Sequence, residues 1–288
     1  MPIIGFSRLI ACPDRRCRPN INRAQRNRGA QMKFTQIRNA TITVEYAGKK
    51  FLVDPMLAEK GAFPGFEGTV NSHLANPTVG LPVAINEILD VDAVIVTHTH
   101  PDHWDEAAKQ LLPKDMLIFA QHDQDAREIR SAGFTNVRVL QDRNDFDGIT
   151  MIKTAAQHGR GEVLSGPIGE ILGQVCGLVF QHPREKTFYL AGDTVWYEAV
   201  EESLQKHAPD VVVVNSGDAR VLPDESIIMG KEDIYKVFKA TTGATIIASH
   251  MESVNHATLS RRELREFLDQ KKMAHRVLVP EDGESYSF

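Results

Sequence analysis

The chain has 288 residues, 42% of them apolar and 25% charged, with a formal net charge of −5 at pH 7. This is the balance of a globular protein with a sizeable core, and the net acidity leaves no footprint for nucleic acid. No run of about 18 apolar residues offers a membrane-spanning helix, and three cysteines, Cys12, Cys17 and Cys176, form neither a disulfide framework nor a CxxC pair, so the expected compartment is a reducing cytoplasm.

Residues 1–31 differ from the rest. They hold seven arginines and a single acid, Asp14, which leaves 26 basic against 37 acidic residues in 32–288. The stretch lacks periodicity and is expected to be a disordered basic extension, with Met32 opening the folded domain that runs to 288. An arginine-rich transit peptide is a second reading, opposed by the scarcity of serine. Leu9-Ile10-Ala11-Cys12 weakly matches a lipoprotein cleavage box, but Arg8 interrupts the apolar run before it.

From Met32 the pattern predicts antiparallel strands over 33–37, 41–46 and 50–53, joined by turns at Asn39-Ala40 and 47–49. Asp54-Pro55 ends the third. Residues 56–82 are punctuated by Gly61, Pro64, Gly65, Gly68, Pro77, Gly80 and Pro82. A loop this long reads as a lid or substrate wall, with Phe63, Phe66 and His73 as contact residues, or as a surface excursion packed on itself.

Residues 92–96 form a short apolar, β-branched run, the pattern of a buried strand. Directly after it stands Thr97-His98-Thr99-His100-Pro101-Asp102-His103-Trp104-Asp105, followed by a predicted helix over 106–112. Four metal-competent side chains thus arrive within six residues. Imidazole and carboxylate donors suit a borderline divalent ion such as zinc. On an extended backbone His98 and His100 share one side, and Asp102 and His103, on the turn into the helix, can face a second ion.

Downstream, a strand is expected at 116–120, a helix at 123–132 stopped by Gly133, and strands at 136–140 and 149–155. The last ends at Gln157-His158-Gly159-Arg160-Gly161, from which a glycine-marked loop begins. A hairpin pairs 171–180 with 187–190 and ends at Gly192-Asp193-Thr194. A helix at 195–207 leads to the four-valine strand 210–214 and Asn215-Ser216-Gly217-Asp218, where Asp218 reads either as a supporting acid or as a turn residue. After a helix at 231–240 and a strand at 245–248 come Ser249-His250 and, six residues on, His256. An amphipathic helix over 259–270, with Ser260 near its start, and a strand at 276–279 close the pattern. Each candidate donor ends a strand or closely follows one.

His98-x-His100-x-Asp102-His103 at a strand end resembles the signature of the metallo-β-lactamase-fold hydrolases. The resemblance covers about 33–280 and implies an α+β fold, a four-layer αββα sandwich. It implies that His98, His100 and His158 hold one divalent ion, that Asp102, His103 and His250 hold another, and that Asp193 bridges them. Zinc is the expected metal, with manganese the alternative. Asp54 then orients a ligand from beneath the metal loop, unless it is only a strand-ending turn; Asp105 either supports a ligating histidine or caps the next helix. The implied chemistry is hydrolysis by a water ionised between two cations, with Asp102, His103 and Asp193 as catalytic residues.

His100 stands where iron-binding relatives of the fold carry Glu, and no cysteine occupies a ligand position. His103-Trp104-Asp105 and Val53-Asp54-Pro55 are most similar to the ascorbate-6-phosphate-lactonase-like branch, which implies a small-molecule lactone, ester or phosphodiester as substrate. From the residues themselves, His73 on the long loop, His256 as the rival of His250, and Arg160 or Arg220 as anion contacts are the candidate substrate-binding residues. A metal-binding oxidoreductase and a non-catalytic regulatory member of the fold are the other classes considered. No membrane partner is expected, and a homo-oligomer is left open.

Overall fold

The computed structural model describes residues 31–288; the expectations for the arginine-rich stretch at 1–30 lie outside them. Three antiparallel strands come first among the described residues, β1 (Lys33–Arg38), β2 (Thr41–Tyr46) and β3 (Lys49–Val53). A short helix α1 (Ile85–Ile88) precedes β4 (Ala93–Val96), and α2 (Glu106–Leu111), β5 (Ile118–Ala120), α3 (Asp123–Ser131) and β6 (Val137–Val139) continue in alternation. The second half begins with β7 (Arg143–Phe146) and β8 (Ile149–Ala155), then α4 (Gly161–Ser165) and α5 (Pro167–Leu172), then β9 (Cys176–Gln181) and β10 (Phe188–Leu190). It continues through α6 (Glu198–His207), β11 (Val211–Asn215), the small hairpin β12 (Arg220–Val221) and β13 (Glu225–Ser226), and α7 (Lys231–Ala240). Finally β14 (Thr245–Ser249), α8 (Arg261–Gln270) and β15 (Val277–Leu278) lead to β16 (Ser285–Ser287), which returns beside β1.

Among the described residues the strands form two mixed seven-stranded sheets, ordered β16-β1-β2-β3-β4-β5-β6 and β15-β14-β11-β10-β9-β8-β7. Side-chain parity builds the layers. Phe51, Val53, Ala93 and Ile95 of the first sheet meet Phe180, Leu190, Val211 and Val213 of the second in the central core. The residues between them point outward. Leu52, Val94 and Val96 pack on Ala108, Ala126 and Ile129 of α2 and α3, while Val212 and Val214 pack under Leu204, Ile234 and Leu264 of α6, α7 and α8. Three apolar layers between four structural ones give the αββα sandwich, and they explain why β4 and β11 are apolar without alternation: both faces are covered.

Helix α8 begins with a capping box, in which Ser260 Oγ accepts from Glu263 N and the Glu263 carboxylate accepts from Ser260 N. No described helix is long and apolar enough to cross a membrane. One expectation is overturned: residues 171–175 are not strand. Gly166-Pro167 starts α5 with proline in its first turn, and Gly173, in the left-handed region at φ +59°, ends it, so β9 begins only at Cys176. The glycine-marked stretch after His158 is accordingly two short helices, and β7, the β12–β13 hairpin and β16 are further elements that the apolar pattern does not announce.

Candidate metal centre

The two sheets present strand ends at one edge, and the chain turns sharply there. Asn39, Asp54 and His250 each follow a strand directly and each adopts a left-handed backbone, with φ of 55°, 46° and 59°. Outside glycine such a conformation is uncommon and concentrates where function requires it. Gly192, at φ +71°, sits so close to the Cys176 carbonyl that a Cβ would collide with it, and this close approach brings the next residue, Asp193, to the sheet edge.

Asp193 is the hub. Its Oδ2 lies 3.2 Å from His103 Nε2, 3.5 Å from His158 Nε2, 3.7 Å from His250 Nε2 and 3.9 Å from His98 Nε2. Its Oδ1 accepts from Asn215 Nδ2 at 2.6 Å. Three donor sets, each with ligand atoms within 4.8 Å of one another, are His98/His100/His158, His98/His103/Asp193 and Asp102/His103/His250. The structure therefore brings together all seven side chains expected as ligands, with Asp193 between the two outer sets.

Outer hydrogen bonds fix the rings. Asp54 accepts from Thr97 N and Thr97 Oγ1, both at 2.7 Å, and from His103 Nδ1 at 2.9 Å. That bond turns His103 Nε2 toward Asp193. His158 Nδ1 lies 2.8 Å from the Ile227 carbonyl, and His100 Nε2 lies 3.0 Å from the Ile171 carbonyl. Asn39 Nδ2 donates to Asp102 Oδ2 at 3.3 Å, and His250 Nε2 is 3.2 Å from the same oxygen. Such partners set tautomer and aim before any ion arrives.

The residues fit a metal. His98 Nε2 and His103 Nε2 are buried with no hydrogen bond, although both face the hub, and a buried imidazole nitrogen left so is costly unless a cation takes it. Charge agrees. Burial resists a charge on His103, but Asp193, Asp102 and Asp54 outweigh it and push its imidazole well above the ordinary range. Burial likewise opposes ionisation of Asp193 and Asp102, yet the neighbouring histidines hold both carboxyls well below theirs. Burial and the adjacent imidazoles push His98 well below the ordinary range, and because a ligating imidazole must be neutral, a cation entering the cluster would displace the proton that the carboxylates otherwise favour on His103.

The β-lactamase superfamily domain matches residues 49–251. The UPF0173 protein YddR of Bacillus subtilis is 55% identical over 258 residues, 89% of this chain and all of its own. A UPF0173 metal-dependent hydrolase of Pelotomaculum thermopropionicum is 27% identical, covering 76% of this chain and 84% of its own. This chain belongs to the UPF0173 family of metal-dependent hydrolases. Among solved structures, an isothiocyanate hydrolase from Delia radicum gut bacteria superposes at a TM-score of 0.88 with 55% identity, over 89% of this chain and 99% of that one. A possible metal-dependent hydrolase from Veillonella parvula gives 0.88 at 42% identity, over 90% and 100%.

In this UPF0173 hydrolase a cavity of about 150 Å³ opens over the cluster. His100, Asp102, His158, Asp193 and His256 reach it, and Phe66, Thr69, Ile168, Ile171, Leu172, Val221 and Ile227 wall it; Glu67 is its charged rim residue. His256 stacks edge-on against Phe66, ring centroids 5.2 Å apart, and burial lowers its imidazole to about 4.

Two expected substrate contacts, His73 and Arg160, do not reach the cavity, while Asp105 and Asp218 each take one of the two roles expected for them. His73 is exposed on the loop and does not line the cavity, because the β-bridge between Phe63 and Asn76 closes the loop on itself and leaves its tip in solvent. Arg160 pairs with Asp233 instead of facing the cavity. Asp105 gives its carboxylate to backbone N–H groups, Ala108 at the start of α2 and Ala58, each at 2.7 Å, so it caps the helix and ties down the loop. Asp218 binds Arg220 and Ser226, making it a hairpin acid. Of the loop phenylalanines, Phe66 lines the cavity, while Phe63 packs against it with centroids 6.0 Å apart. Asn39 and Asn215 escaped the sequence reading as partners of the cluster. Asn39 stands just after β1 and Asn215 ends the apolar β11, the same strand-end position as the ligands, and that shared position was the available signal.

Proposed function

We propose that this chain hydrolyses a small neutral electrophile with an apolar tail, and that the substrate class is the isothiocyanates. R–N=C=S and water give the amine R–NH2 and carbonyl sulfide. The observation that carries the reading is the cavity itself, an apolar chamber set directly on the histidine–aspartate cluster with no lysine or arginine among the described residues that wall it. A phosphodiester would find no side-chain cation in the lining and would pass Glu67, so, beyond the charge that the metal site supplies, nothing in the chamber favours an anion. Similarity at 55% identity to an isothiocyanate hydrolase supports the same class.

Two divalent cations, zinc before manganese, suit the donor sets, and when bound they polarise the substrate and ionise a water near neutral pH. The chain does the rest. The apolar walls hold the tail and exclude bulk water. Asp102, kept ionised by its histidine neighbours and lying on the cavity floor, accepts the proton that the water gives up and passes it to the departing nitrogen. A lactone or ester carbonyl would meet the same floor. It is the second reading, favoured by the His103-Trp104-Asp105 and Val53-Asp54-Pro55 motifs.

Benzyl isothiocyanate, an alkyl γ-lactone and bis(p-nitrophenyl) phosphate, each offered to the zinc-loaded protein, separate these readings. Isothiocyanate turnover that is lost on chelation is the expected result, with the phosphodiester at least about 100-fold slower. Phosphodiester turnover at an equal rate would overturn the proposal, and preference for the lactone would replace it with the second reading.

A further inference from the structure

The segment after β14 carries His250 into the metal centre and His256 into the cavity; between them stands Asn255. It is 2% exposed, and its hydrogen bonds run to the 56–82 loop. Its Oδ1 accepts from Phe66 N at 3.1 Å and from Asn76 Nδ2 at 2.8 Å. Its Nδ2 donates to Thr69 Oγ1 and to the Val70 carbonyl, both at 2.8 Å. Its backbone N–H donates to Asn76 Oδ1 at 2.8 Å. One side chain thus satisfies four groups spread from Phe66 to Asn76, in a loop that otherwise has little regular structure of its own.

The same segment braces the facing wall. The carbonyl of His256 accepts from Arg220 N at 3.0 Å, and Ala257 bridges Ala219. The two walls then meet directly, through the bridge of Thr69 to Val221 and the bond from Leu222 N to the Gly68 carbonyl at 2.9 Å. Phe66 on one wall and Val221 on the other are therefore fixed relative to the metal centre through residues 255–257.

We propose that Asn255 is a positioning residue that sets the tail specificity of the site: by fixing Phe66 and the adjoining His256, it shapes the chamber that receives the apolar part of the ligand, without acting on the reacting atoms. The inference rests on the reading above only in that the cavity receives the tail. A buried amide with all its partners made specifies one arrangement of a loop, and removing part of that set leaves groups unsatisfied and the loop free to shift.

The test uses the zinc-loaded full chain and two neutral thiols, 2-mercaptoethanol and benzyl mercaptan. Both anchor through sulfur and differ in the tail, and neither is turned over, so the outcome is independent of whether isothiocyanates are hydrolysed. Calorimetric titration of the wild type should favour benzyl mercaptan by about 10-fold or more, the scale expected for burying a ring. Asn255→Asp keeps the acceptors for Phe66 and Asn76 but removes the donors to Thr69 and Val70. It should cut the tail preference to about 2-fold while leaving zinc content and 2-mercaptoethanol affinity in place. Asn76→Asp, which weakens the anchor from the other side, should lower the preference less and in the same direction, and it decides the matter alone if Asn255→Asp does not fold. An unchanged preference, equal weakening of both thiols, loss of zinc, or no tail preference in the wild type would each overturn the proposal.

Discussion

The donors of the metal centre leave the ends of β4, β8, β10 and β14, whereas the wall residues Phe66 and Ile227 sit on loops and Ile168 on the short helix α5. The first group is positioned by two sheets whose register the central core locks, and its rings are fixed by Asp54, Asn215 and the carbonyls of Ile171 and Ile227. The second is positioned by hydrogen bonds of the 56–82 loop to Asn255, by its bridge to the β12–β13 hairpin, and by the small apolar cluster in which Ile168 and Ile227 pack. Damage to the cluster should therefore abolish metal binding and all turnover together, while damage to the wall should change which molecule binds and leave the metal in place.

The most severe test of that division is Asp193→Asn. Losing the carboxylate charge on which four imidazoles converge should lower turnover by at least about 10²-fold, more than the loss of an outer partner, and should reduce zinc content measured by mass spectrometry. Asp54→Asn comes next. The His103 ring loses the oxygen that holds its Nδ1, and metal affinity should fall by about 10–100-fold in a zinc competition titration. Ile168→Ala is the wall counterpart; it should raise KM for a benzyl-tailed substrate by about 3–10-fold and leave zinc content unchanged, since roughly one partly buried side chain is removed. A matching loss of zinc in Ile168→Ala would erase the distinction between the two regions.

The smallest effect concerns Cys176, which lies beneath the centre with its thiol against the Thr97 carbonyl. Burial, with Asp54 adding to it, pushes this thiol up to about 12. At pH 8 it should stay protonated and resist iodoacetamide in the native protein, then label on unfolding, as followed by peptide mass. Because the folded value is raised, the linked stability is full below the ordinary thiol range and is lost as pH climbs through it toward the folded value. Rapid native labelling at pH 8 would show that the floor of the site opens to solvent.

The contrast also explains what could be read from the sequence. Strand ends are legible because Val94–Val96 and Val211–Val214 are apolar runs that stop at a polar residue, and a side chain at the edge of a buried sheet has few places to go. The resemblance to the metallo-β-lactamase fold singled out His98, His158, Asp193 and His250 over more than 150 positions, and their shared place at strand ends agreed with it. The walls obey no such rule. Arg160, Asp105 and His73 look as chemically able as any ligand, yet Asp233, the N-terminus of α2 and the closure of the loop by Phe63 and Asn76 decide where they point, and each of those partners is long-range or conformational. The α4–α5 pair was hidden for a related reason: Ile171 and Leu172 look like the start of a strand until Pro167 and Gly173 are seen to bound a helix.

The central claim is that one histidine–aspartate cluster is both the metal site and the seat of hydrolysis. Zinc titrated into chelator-stripped protein, with bound metal and isothiocyanate turnover measured on the same samples, tests it most directly. The account predicts two zinc ions per chain, turnover that rises with their occupancy, and loss of both in Asp193→Asn. Full turnover in the stripped protein, or zinc bound equally well by Asp193→Asn, would contradict it.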